Sequence, residues 1–183
     1  PRKAASAVSS KFFNNPSKNI TVIGITGTNG KTTTAYLIAN ALNKAGYKTA
    51  QVGTTGIIAK DFDQEKTLTT PDAISLQKLF FKLKNSGFTH VVMEVSSHAL
   101  DQYRVADINF NYAVFTNITP EHLDYHQSME SYLKAKSRLF KMLTIDGVAI
   151  INNSDLNGKR IAEETIAPVL FYSRNNGDTI HFT

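Results

Sequence analysis

Short apolar runs alternate along the chain with longer segments that carry helical periodicity or helix-boundary residues. The runs are rich in β-branched residues, which predicts buried strands at 20–25, 47–53, 89–95, 111–117, 147–152 and 168–173. Helices are predicted within 1–19 and at 32–45, 70–86, 119–124, 129–143 and 155–165. Because strands that alternate with helices form βαβ units, the pattern predicts an α/β fold with a mostly parallel sheet and helices on both faces.

Two segments allow more local predictions. Thr70, Pro71 and Asp72 have the order of an N-cap, a proline at the first helical position and a first-turn acid, so we expect Thr70 to cap the helix at 70–86. Residues 54–68 have no helical period, and we expect a strand-like excursion off the main sheet.

The composition limits the class of protein. With 183 residues, of which 42% are hydrophobic and 19% charged, the chain suits one globular domain, or one with a small appendage. No apolar run approaches the ~18 residues of a membrane span. The first residues also lack a signal-peptide pattern, so we expect a cytoplasmic protein without membrane contact. The lack of cysteine excludes disulfides and thiol chemistry. Because residue 1 is proline, we expect a piece of a longer chain.

The charge and the polar clusters indicate a small anionic ligand. A net charge of +5 favours anions such as nucleotides. The 20 Lys and Arg residues are scattered, with no run longer than two, so nucleic-acid binding is not expected. Polar clusters follow the predicted strands after Ile25, Val95 and Phe115. Ligands of parallel sheets bind beyond the carboxyl ends of the strands, so we expect these clusters to form one site.

The first cluster lies in GITGTNGKTT, residues 24–33, where a strand passes through a glycine-bearing loop into a helix. Backbone N–H groups of such a loop can hold phosphates. Lys31 is suited to the β- and γ-phosphate oxygens, and the Thr32 hydroxyl is suited to Mg²⁺. The fold is therefore expected to be like that of P-loop NTPases.

The other two clusters supply a carboxylate and two histidines. Glu94 ends an apolar strand, where a carboxylate can hold Mg²⁺ directly or through water. His122 and His126 stand four residues apart, a helical spacing that is compatible with zinc. No third ligand is evident nearby, so the favoured interpretation is that His122 assists Mg²⁺ or phosphate and that His126 lies at the surface.

Two further groups of polar residues give no functional prediction from their types alone. Residues 96–101 contain Ser, His and Asp but no G-x-S-x-G elbow, and adjacent residues of a strand point to opposite faces, so a hydrolase triad is not expected. Four basic residues on the helix at 129–143 are predicted to form a solvated face, namely Lys134, Lys136, Arg138 and Lys141.

Five motifs together resemble the Mur ligases, and among them the enzymes that add the third residue of the peptidoglycan stem peptide. They are TGTNGKTTT from residue 26, TTP at 69–71, EVSSHALDQYR at 94–104, FTNITPEHLDYH at 115–126 and YLKAKSRLF at 132–140. The family loop has the form G-x-x-G-x-x-G-K-[ST], which accounts for Gly27. Two departures from the family pattern are Leu68, where some relatives carry a polar residue, and Glu121, where aspartate is common.

The resemblance implies a domain organisation and a reaction. Residues 1–19 would be a leading helix or interdomain linker, and 20–183 the central ATP-binding domain. A uridine-binding N-terminal domain and an amino-acid-binding C-terminal domain would lie outside this sequence. The implied reaction joins a diamino acid to a UDP-N-acetylmuramoyl-dipeptide through an acyl phosphate, with ATP and Mg²⁺ as cofactors. We expect a monomer from the bacterial cytoplasm, inactive as an isolated piece.

The resemblance also assigns roles to individual residues. The nucleotide would contact Gly27, Thr28, Asn29, Gly30, Lys31, Thr32, Thr33 and Asn117. The magnesium ions would lie near Thr32, Glu94, His122 and Lys136, the last as a carbamate formed with CO₂. The catalytic set would be Lys31, Glu94, His122 and Lys136. The muramoyl-peptide substrate would contact Thr69, Thr70, Ser96, Gln102 and Arg104.

Three alternatives stay open from the sequence. The chain could act only as a nucleotide-binding module without catalysis. A P-loop GTPase is suggested by DLNG at 155–158, but no N-K-x-D motif follows that would recognise guanine. A folylpolyglutamate synthetase-like ligase shares the loop, although EVSSH followed by Q-x-R favours the Mur ligase branch.

Overall fold

A sheet of eight strands runs through the part of the chain that this computed structural model describes, residues 1–62, 68–173 and 180–181. The strands are β1 (Thr21–Thr26), β2 (Thr49–Gly53), β3 (Gly56–Ile58), β4 (His90–Glu94), β5 (Tyr112–Phe115), β6 (Val148–Asn152), β7 (Val169–Ser173) and β8 (Ile180–His181). Their spatial order is β3-β2-β4-β1-β5-β6-β7-β8. Neighbouring strands are parallel except β2 and β3, which pair antiparallel.

The first helix and a 3-10 turn precede β1, and the other helices lie between strands in sequence. They are α1 (Arg2–Phe12), α2 (Lys31–Lys44), α3 (Ala73–Asn85), α4 (Ser97–Asp101), α5 (Leu123–His126), α6 (Met129–Lys141) and α7 (Gly158–Ala162), with a 3-10 turn at Pro16–Asn19. None of the helices in the described ranges is long and apolar enough to cross a membrane.

Both faces of the sheet are covered, as the alternation predicted. Along β1 the side chain of Val22 enters the larger core, whereas Ile23 and Ile25 enter a smaller core beneath α2. The larger core takes apolar residues of α3 and α6 on the opposite face. Gly24 allows α6 to come close, because a Cβ at this position would lie 3.1 Å from the Leu139 side chain and 2.7 Å from Phe110. The α/β prediction with a largely parallel sheet is confirmed.

The leading helix α1 packs against α3. The rings of Phe13, just after α1, and Phe81 on α3 have centroids 5.7 Å apart. The division of the chain at residue 19 into a leading helix and a central domain stays a prediction.

Several local predictions need correction. β3 does not leave the sheet but forms its edge, paired with β2 from Gln51 to Gly53. The part of the excursion at 63–67 lies outside the described residues. Thr70 does not cap α3; the cap is Asp72, whose carboxylate accepts from the N–H groups of Ile74 and Ser75 at 3.0 Å each.

The helix predicted at 119–124 is also displaced. α5 begins only at Leu123, because the backbone before it is hydrogen-bonded outside a helix and the φ of His122 is 55°, in the left-handed region. The N–H of Thr119 donates to the Thr28 hydroxyl at 3.0 Å instead of joining a helix. α7 is shorter than the predicted 155–165, since the Asp155 carboxylate first forms a turn with the N–H of Asn157 at 2.8 Å.

Candidate active site

The three polar clusters lie together at the carboxyl ends of three adjacent central strands. β4, β1 and β5 are adjacent strands, and their carboxyl ends lead to Glu94, to the loop at 26–30 and to Thr116. The side-by-side position of these three strand ends follows from the parallel pairing of β1 with both neighbours. The prediction that the clusters lie together is therefore confirmed.

The loop between β1 and α2 approaches the β5 end closely. A Cβ on Gly27 would lie 1.9 Å from the Thr116 hydroxyl, so no side chain fits there. Gly30, which precedes α2, has a φ of 83°, a left-handed conformation that glycine adopts without strain. These two positions explain why the loop carries its glycines at this spacing.

The segment at 116–119 supports the same loop through hydrogen bonds. The N–H of Thr28 donates to the Asn117 carbonyl at 2.8 Å, and the N–H of Asn29 donates to the Asn117 side-chain oxygen at 2.9 Å. The Thr116 hydroxyl and the Asn117 amide donate to the Asn29 carbonyl at 2.7 and 3.1 Å. Asn117 therefore contributes to the shape of the loop, and its predicted contact with the nucleotide stays a prediction.

Two lysines converge on one carbonyl of the loop. Lys31 Nζ donates to the Gly27 carbonyl at 2.9 Å and to the Thr28 carbonyl at 2.8 Å. Lys136 Nζ donates to the Gly27 carbonyl at 2.8 Å. Burial lowers the pKa of Lys31, against the opposing charges of Glu94 and Glu121. The two amino groups thus lie together where the loop would hold an anion.

Lys136 is not part of a solvated face, which corrects the prediction from residue types. Its side chain is 1% exposed, and its Nζ lies 4.3 Å from the centroid of the Tyr132 ring. Burial, and secondly the charge of Lys31, lower the pKa of Lys136 to about 7. Lys134, by contrast, is exposed on the other side of α6. Lys136 therefore has a large neutral fraction near neutral pH.

Glu94 is fully buried at the end of β4 and has several hydrogen-bond donors around its carboxylate. Oε2 accepts from the Thr32 hydroxyl at 3.0 Å and from the Thr54 hydroxyl at 3.2 Å. Oε1 accepts from the N–H of Thr54 at 2.9 Å. Gly53 provides the space, because a Cβ there would lie 2.1 Å from Oε1.

The donor set at Thr32 and Glu94 fits Mg²⁺. Both residues offer oxygen, and Mg²⁺ is commonly held by one or two carboxylates together with the phosphates of a nucleotide. Among the described residues no group of three or more His, Cys, Asp or Glu side chains could hold a metal ion alone. A protein-only zinc site at His122 and His126 therefore has no support here. Lys136 would add an oxygen ligand only as a carbamate.

His122 is linked to the phosphate loop through Tyr132. Its ring centroid lies 6.2 Å from that of Tyr132, whose hydroxyl is 3.3 Å from the Thr28 hydroxyl. The charges of Glu94 and of Glu121, the residue before His122, both act to raise the pKa of Lys31 against the effect of burial. Lys31 and Glu94 thus contact the loop or the start of α2, and His122 is linked to the loop through Tyr132; the catalytic roles of all three stay predictions.

His126 is buried rather than exposed, which corrects a second prediction. Its Nε2 lies 2.9 Å from the Ser97 hydroxyl, and its side chain packs against Tyr132 with ring centroids 5.1 Å apart. Ser97 is the first residue of α4, a helix that the sequence did not predict, and it contacts His126 rather than His98. Among the described residues these contacts give no hydrolase triad.

The residues predicted to contact the substrate form one connected group. The Thr70 hydroxyl donates to the Glu94 carbonyl at 2.9 Å and accepts from the N–H of Ser96 at 3.1 Å. Arg104 Nη1 donates to the Thr70 carbonyl at 3.0 Å, and Nη2 donates to Gln102 Oε1 at 2.7 Å. A cavity of about 330 Å³ adjoins Gln102 and Arg104.

A larger cavity, of about 780 Å³, lies between β3 and α3. None of the residues predicted for the nucleotide, the metal or the substrate lines this cavity. Its size alone therefore does not make it the functional site.

Comparison with known proteins decides the family. The model of the Mur ligase middle domain matches residues 25–183, which is most of the chain and includes the loop, Glu94 and Lys136. The chain belongs to the Mur ligase family. Membership of this family accounts for Gly27, the middle glycine of the loop between Gly24 and Gly30.

Individual Mur ligases and a structural neighbour agree with this assignment. The UDP-N-acetylmuramoyl-L-alanyl-D-glutamate--2,6-diaminopimelate ligase of Cytophaga hutchinsonii is 43% identical over 171 residues, covering 93% of this chain and 35% of the relative. A solved structure of a ligase with the same name has a TM-score of 0.83 at 30% identity, covering 96% of this chain and 38% of that one. The chain thus spans about a third of the length of these relatives.

The fold extends beyond the Mur ligases. E. coli FolC in complex with DHPP and ADP has a TM-score of 0.72 at 17% identity, covering 91% of this chain and 46% of that chain. At this identity the likeness concerns the fold alone. The alternative of a P-loop GTPase has no support in the described residues, since Asp155 of DLNG accepts from the N–H groups of Ile118 and Asn157 as a structural brace.

Sequence reasoning missed three residues of the site. Thr54 contacts both oxygens of the Glu94 carboxylate, but a threonine after a strand has no distinctive pattern. Tyr132 lies between the Thr28 hydroxyl and Lys136, and only its place in the Mur ligase motif YLKAK could have indicated it. His98 packs against His122 with ring centroids 4.9 Å apart, which no spacing in the sequence predicts.

Proposed function

We propose that the chain is the ATP-binding part of an acid–amino-acid ligase of peptidoglycan precursor synthesis. The full reaction would add diaminopimelate to UDP-N-acetylmuramoyl-L-alanyl-D-glutamate, the substrates in the name of the Cytophaga hutchinsonii relative. The observation that carries this proposal is the phosphate loop whose Thr32 is hydrogen-bonded to the buried Glu94 at 3.0 Å, with two lysines on the Gly27 carbonyl.

The loop residues would bind and orient the nucleotide. A carboxylate is a poor electrophile, so ATP would transfer its γ-phosphoryl group to the terminal carboxylate of the dipeptide. The amine of the diamino acid would then attack the acyl phosphate, forming the amide and releasing phosphate. Lys31 would exchange its two carbonyl contacts for phosphate oxygens, and backbone N–H groups of 27–33 would fix their direction.

Magnesium would be held by Thr32 and Glu94, with His122 beyond the loop. When bound, Mg²⁺ would neutralise charge on the β- and γ-phosphate oxygens. Glu94 would direct its carboxylate at the ion because Thr54 and Thr32 hold both of its oxygens.

Lys136 would act as a carbamate. Its neutral amine attacks CO₂, so that a C–N bond forms and one proton leaves to solvent, giving an anionic –NH–COO⁻ group. The reaction requires the unprotonated amine, and the lowered pKa of about 7 makes that form abundant. The product would place an anionic oxygen ligand beside the loop, in addition to Thr32 and Glu94.

The substrate would contact the group formed by Thr69, Thr70, Ser96, Gln102 and Arg104. Arg104 can present its planar fork of donors to a carboxylate or phosphate. Its contact with Gln102 at 2.7 Å fixes the orientation of this fork. The adjoining cavity of about 330 Å³ would receive part of the muramoyl peptide.

The remaining assignments follow from the relatives. Because the chain spans 35% of the Cytophaga hutchinsonii ligase, uridine binding and amino-acid binding would depend on segments outside 1–183. Residues 20–183 would form the central domain, with 1–19 leading into it. We propose a monomer that works in the bacterial cytoplasm.

Lys31→Ala tests the nucleotide assignment. Removal of a charged donor to phosphate should weaken ATP binding about 10- to 100-fold, as measured by calorimetry in excess Mg²⁺. Lys44→Ala, at the exposed end of the same helix, should bind as the wild type does. Unfolding curves followed by circular dichroism should show that both variants fold. Unchanged ATP affinity in a folded Lys31→Ala variant would refute the assignment.

A further inference from the structure

We propose that Thr54 is a positioning residue that fixes the Glu94 carboxylate for Mg²⁺. This inference rests on the proposed function, because it concerns the same nucleotide site. Neither the phosphate-loop motif nor the Mur ligase resemblance assigns a role to Thr54. The structural basis is that one residue supplies hydrogen bonds to both oxygens of the carboxylate.

The two donors of Thr54 act on different oxygens. Its backbone N–H donates to Oε1 of Glu94 at 2.9 Å, and its hydroxyl donates to Oε2 at 3.2 Å. Two contacts on two oxygens define the plane of the carboxylate as well as its place. The hydroxyl of Thr32, the other proposed magnesium ligand, approaches Oε2 at 3.0 Å.

The direction of the hydrogen bonds follows from counting protons. The Thr54 hydroxyl has one proton, and an ionised carboxylate can only accept, so this proton goes to Glu94. The Thr69 hydroxyl, 3.1 Å from the Thr54 hydroxyl, must then be the donor in that contact. The order Thr69 to Thr54 to Glu94 connects the proposed substrate group with the proposed metal ligand.

The backbone around Thr54 keeps this residue in place. β2 and β3 pair up to Gly53 and Gly56, so that Thr54 and Thr55 form the two-residue turn between them. Gly56 has a φ of 90°, which favours glycine. Gly53 leaves the space into which the Glu94 carboxylate fits. The turn thus presents the N–H and hydroxyl of Thr54 to Glu94.

Loss of an outer hydrogen-bond partner of a metal ligand typically reduces metal affinity about 10- to 100-fold. Thr54→Val removes the hydroxyl but keeps the shape and the N–H, so residue 54 then contacts the carboxylate through Oε1 only, and Oε2 keeps only its contact with the Thr32 hydroxyl. We expect the Mg²⁺ concentration for half-maximal ATP binding to rise about tenfold. ATP affinity in EDTA should not change, because Thr54 has no expected contact with the nucleotide.

Thr54→Ser and Thr55→Val are the matched variants. Serine keeps the donor, so Thr54→Ser should restore the wild-type magnesium midpoint. Thr55 is the adjacent turn residue, exposed like Thr54, and its replacement by valine should leave the midpoint as in the wild type. All variants are titrated as the 183-residue chain, with ATP binding measured by calorimetry at a series of Mg²⁺ concentrations.

The outcomes separate this inference from the proposed function. If the wild type binds ATP and Thr54→Val has an unaltered magnesium midpoint, the positioning role is wrong while the nucleotide site stands. Equal weakening with Mg²⁺ and in EDTA would also overturn it, since that indicates general damage to the loop. If the wild type does not bind ATP, the proposed function itself fails.

Discussion

Lys136 is a basic residue whose side chain is buried on the face of the sheet that carries the larger core. Its ammonium form has one hydrogen-bond acceptor, the Gly27 carbonyl at 2.8 Å, and the face of the Tyr132 ring. These contacts do not replace the hydration of a full charge, which is why burial lowers the pKa to about 7. The residue therefore links the stability of the fold to pH.

Lys136→Met should remove this link. Between pH 7 and the ordinary lysine pKa of 10.5, the unfolded wild type binds more protons than the folded one, so its free energy of unfolding rises with pH. Relative to Lys136→Met, the wild type should gain about 1.4 kcal/mol per pH unit above pH 7. Below pH 7 both states of the wild type are protonated, and the difference should become constant.

Urea unfolding in CO₂-free buffers from pH 6 to 9 would measure this dependence. Lys134→Met controls for the introduction of methionine, since Lys134 is exposed on the same helix. It should keep the wild-type pH dependence. If the free energy of unfolding changed with pH equally for the wild type and Lys136→Met across this range, the lowered pKa of Lys136 would be contradicted.

The residue scale also shows the limit of sequence reasoning. Lys31, Glu94 and His122 could be proposed from the sequence because each lies in a motif or at a strand end. The burial of Lys136 could not be derived from its type, because lysines at 134, 136 and 141 share the polar character of α6. Only its contacts with the Gly27 carbonyl and the Tyr132 ring distinguish Lys136, and these contacts exist only in the folded chain.

Among the elements, α3 begins with a side-chain cap that accepts from two backbone N–H groups. Asp72 accepts from the N–H groups of Ile74 and Ser75, and from the Ser75 hydroxyl at 2.6 Å. Asp72→Ala should therefore lower the free energy of unfolding by about 1 kcal/mol. Chemical denaturation at neutral pH would measure the loss.

Asp72→Asn keeps the acceptor oxygen and is the control for this prediction. It should retain most of the stability, because asparagine caps helices about as well as aspartate. Thr70→Val tests the capping position predicted from the sequence. If it destabilised α3 in hydrogen exchange while Asp72→Ala did not, the cap would have to be reassigned.

The predictability of the elements depended on their length. The strands at 20–25, 89–95 and 111–117 and the helices α2, α3 and α6 have enough periodic residues to be predicted to within a few positions. Short elements such as α4 and α5 have too few residues for a period. Their limits are set by contacts such as Thr119 to Thr28, which join segments 91 residues apart.

At the scale of the whole molecule, the strand order determines where the chemistry lies. With β1 between β4 and β5, three sequence-distant motifs meet at the carboxyl ends of adjacent strands. The meeting point was predictable from the rule that ligands bind at carboxyl ends of parallel strands. The hydrogen bonds from Thr54 to Glu94 were not predictable, because they depend on how the turn between β2 and β3 packs against β4.

The 183-residue chain should bind Mg–ATP without forming an amide. At a nucleotide concentration of about 100 times Kd, binding should raise the melting temperature by about 5 to 10 °C. The chain spans only about a third of its relatives, so we expect no product when the muramoyl dipeptide and diaminopimelate are added. Thermal unfolding and chromatographic detection of the product would measure both results.

The full-length Cytophaga hutchinsonii ligase is the positive control in the same product assay. Turnover by the 183-residue chain at a rate near that of the control would mean that residues 1–183 suffice for catalysis. Absence of any thermal shift with Mg–ATP would remove the basis for nucleotide binding by the chain alone.

The hydrogen bonds between residues 116–119 and the phosphate loop have a kinetic consequence. Hydrogen bonds from Thr116 and Asn117 come from the chain itself, so the shape of the receptor is acquired during folding. An arriving nucleotide then loses its own freedom of motion without having to order the polypeptide. Its association rate should be governed by diffusion and by the reorientation of the Lys31 side chain, rather than by a slow rearrangement of the backbone.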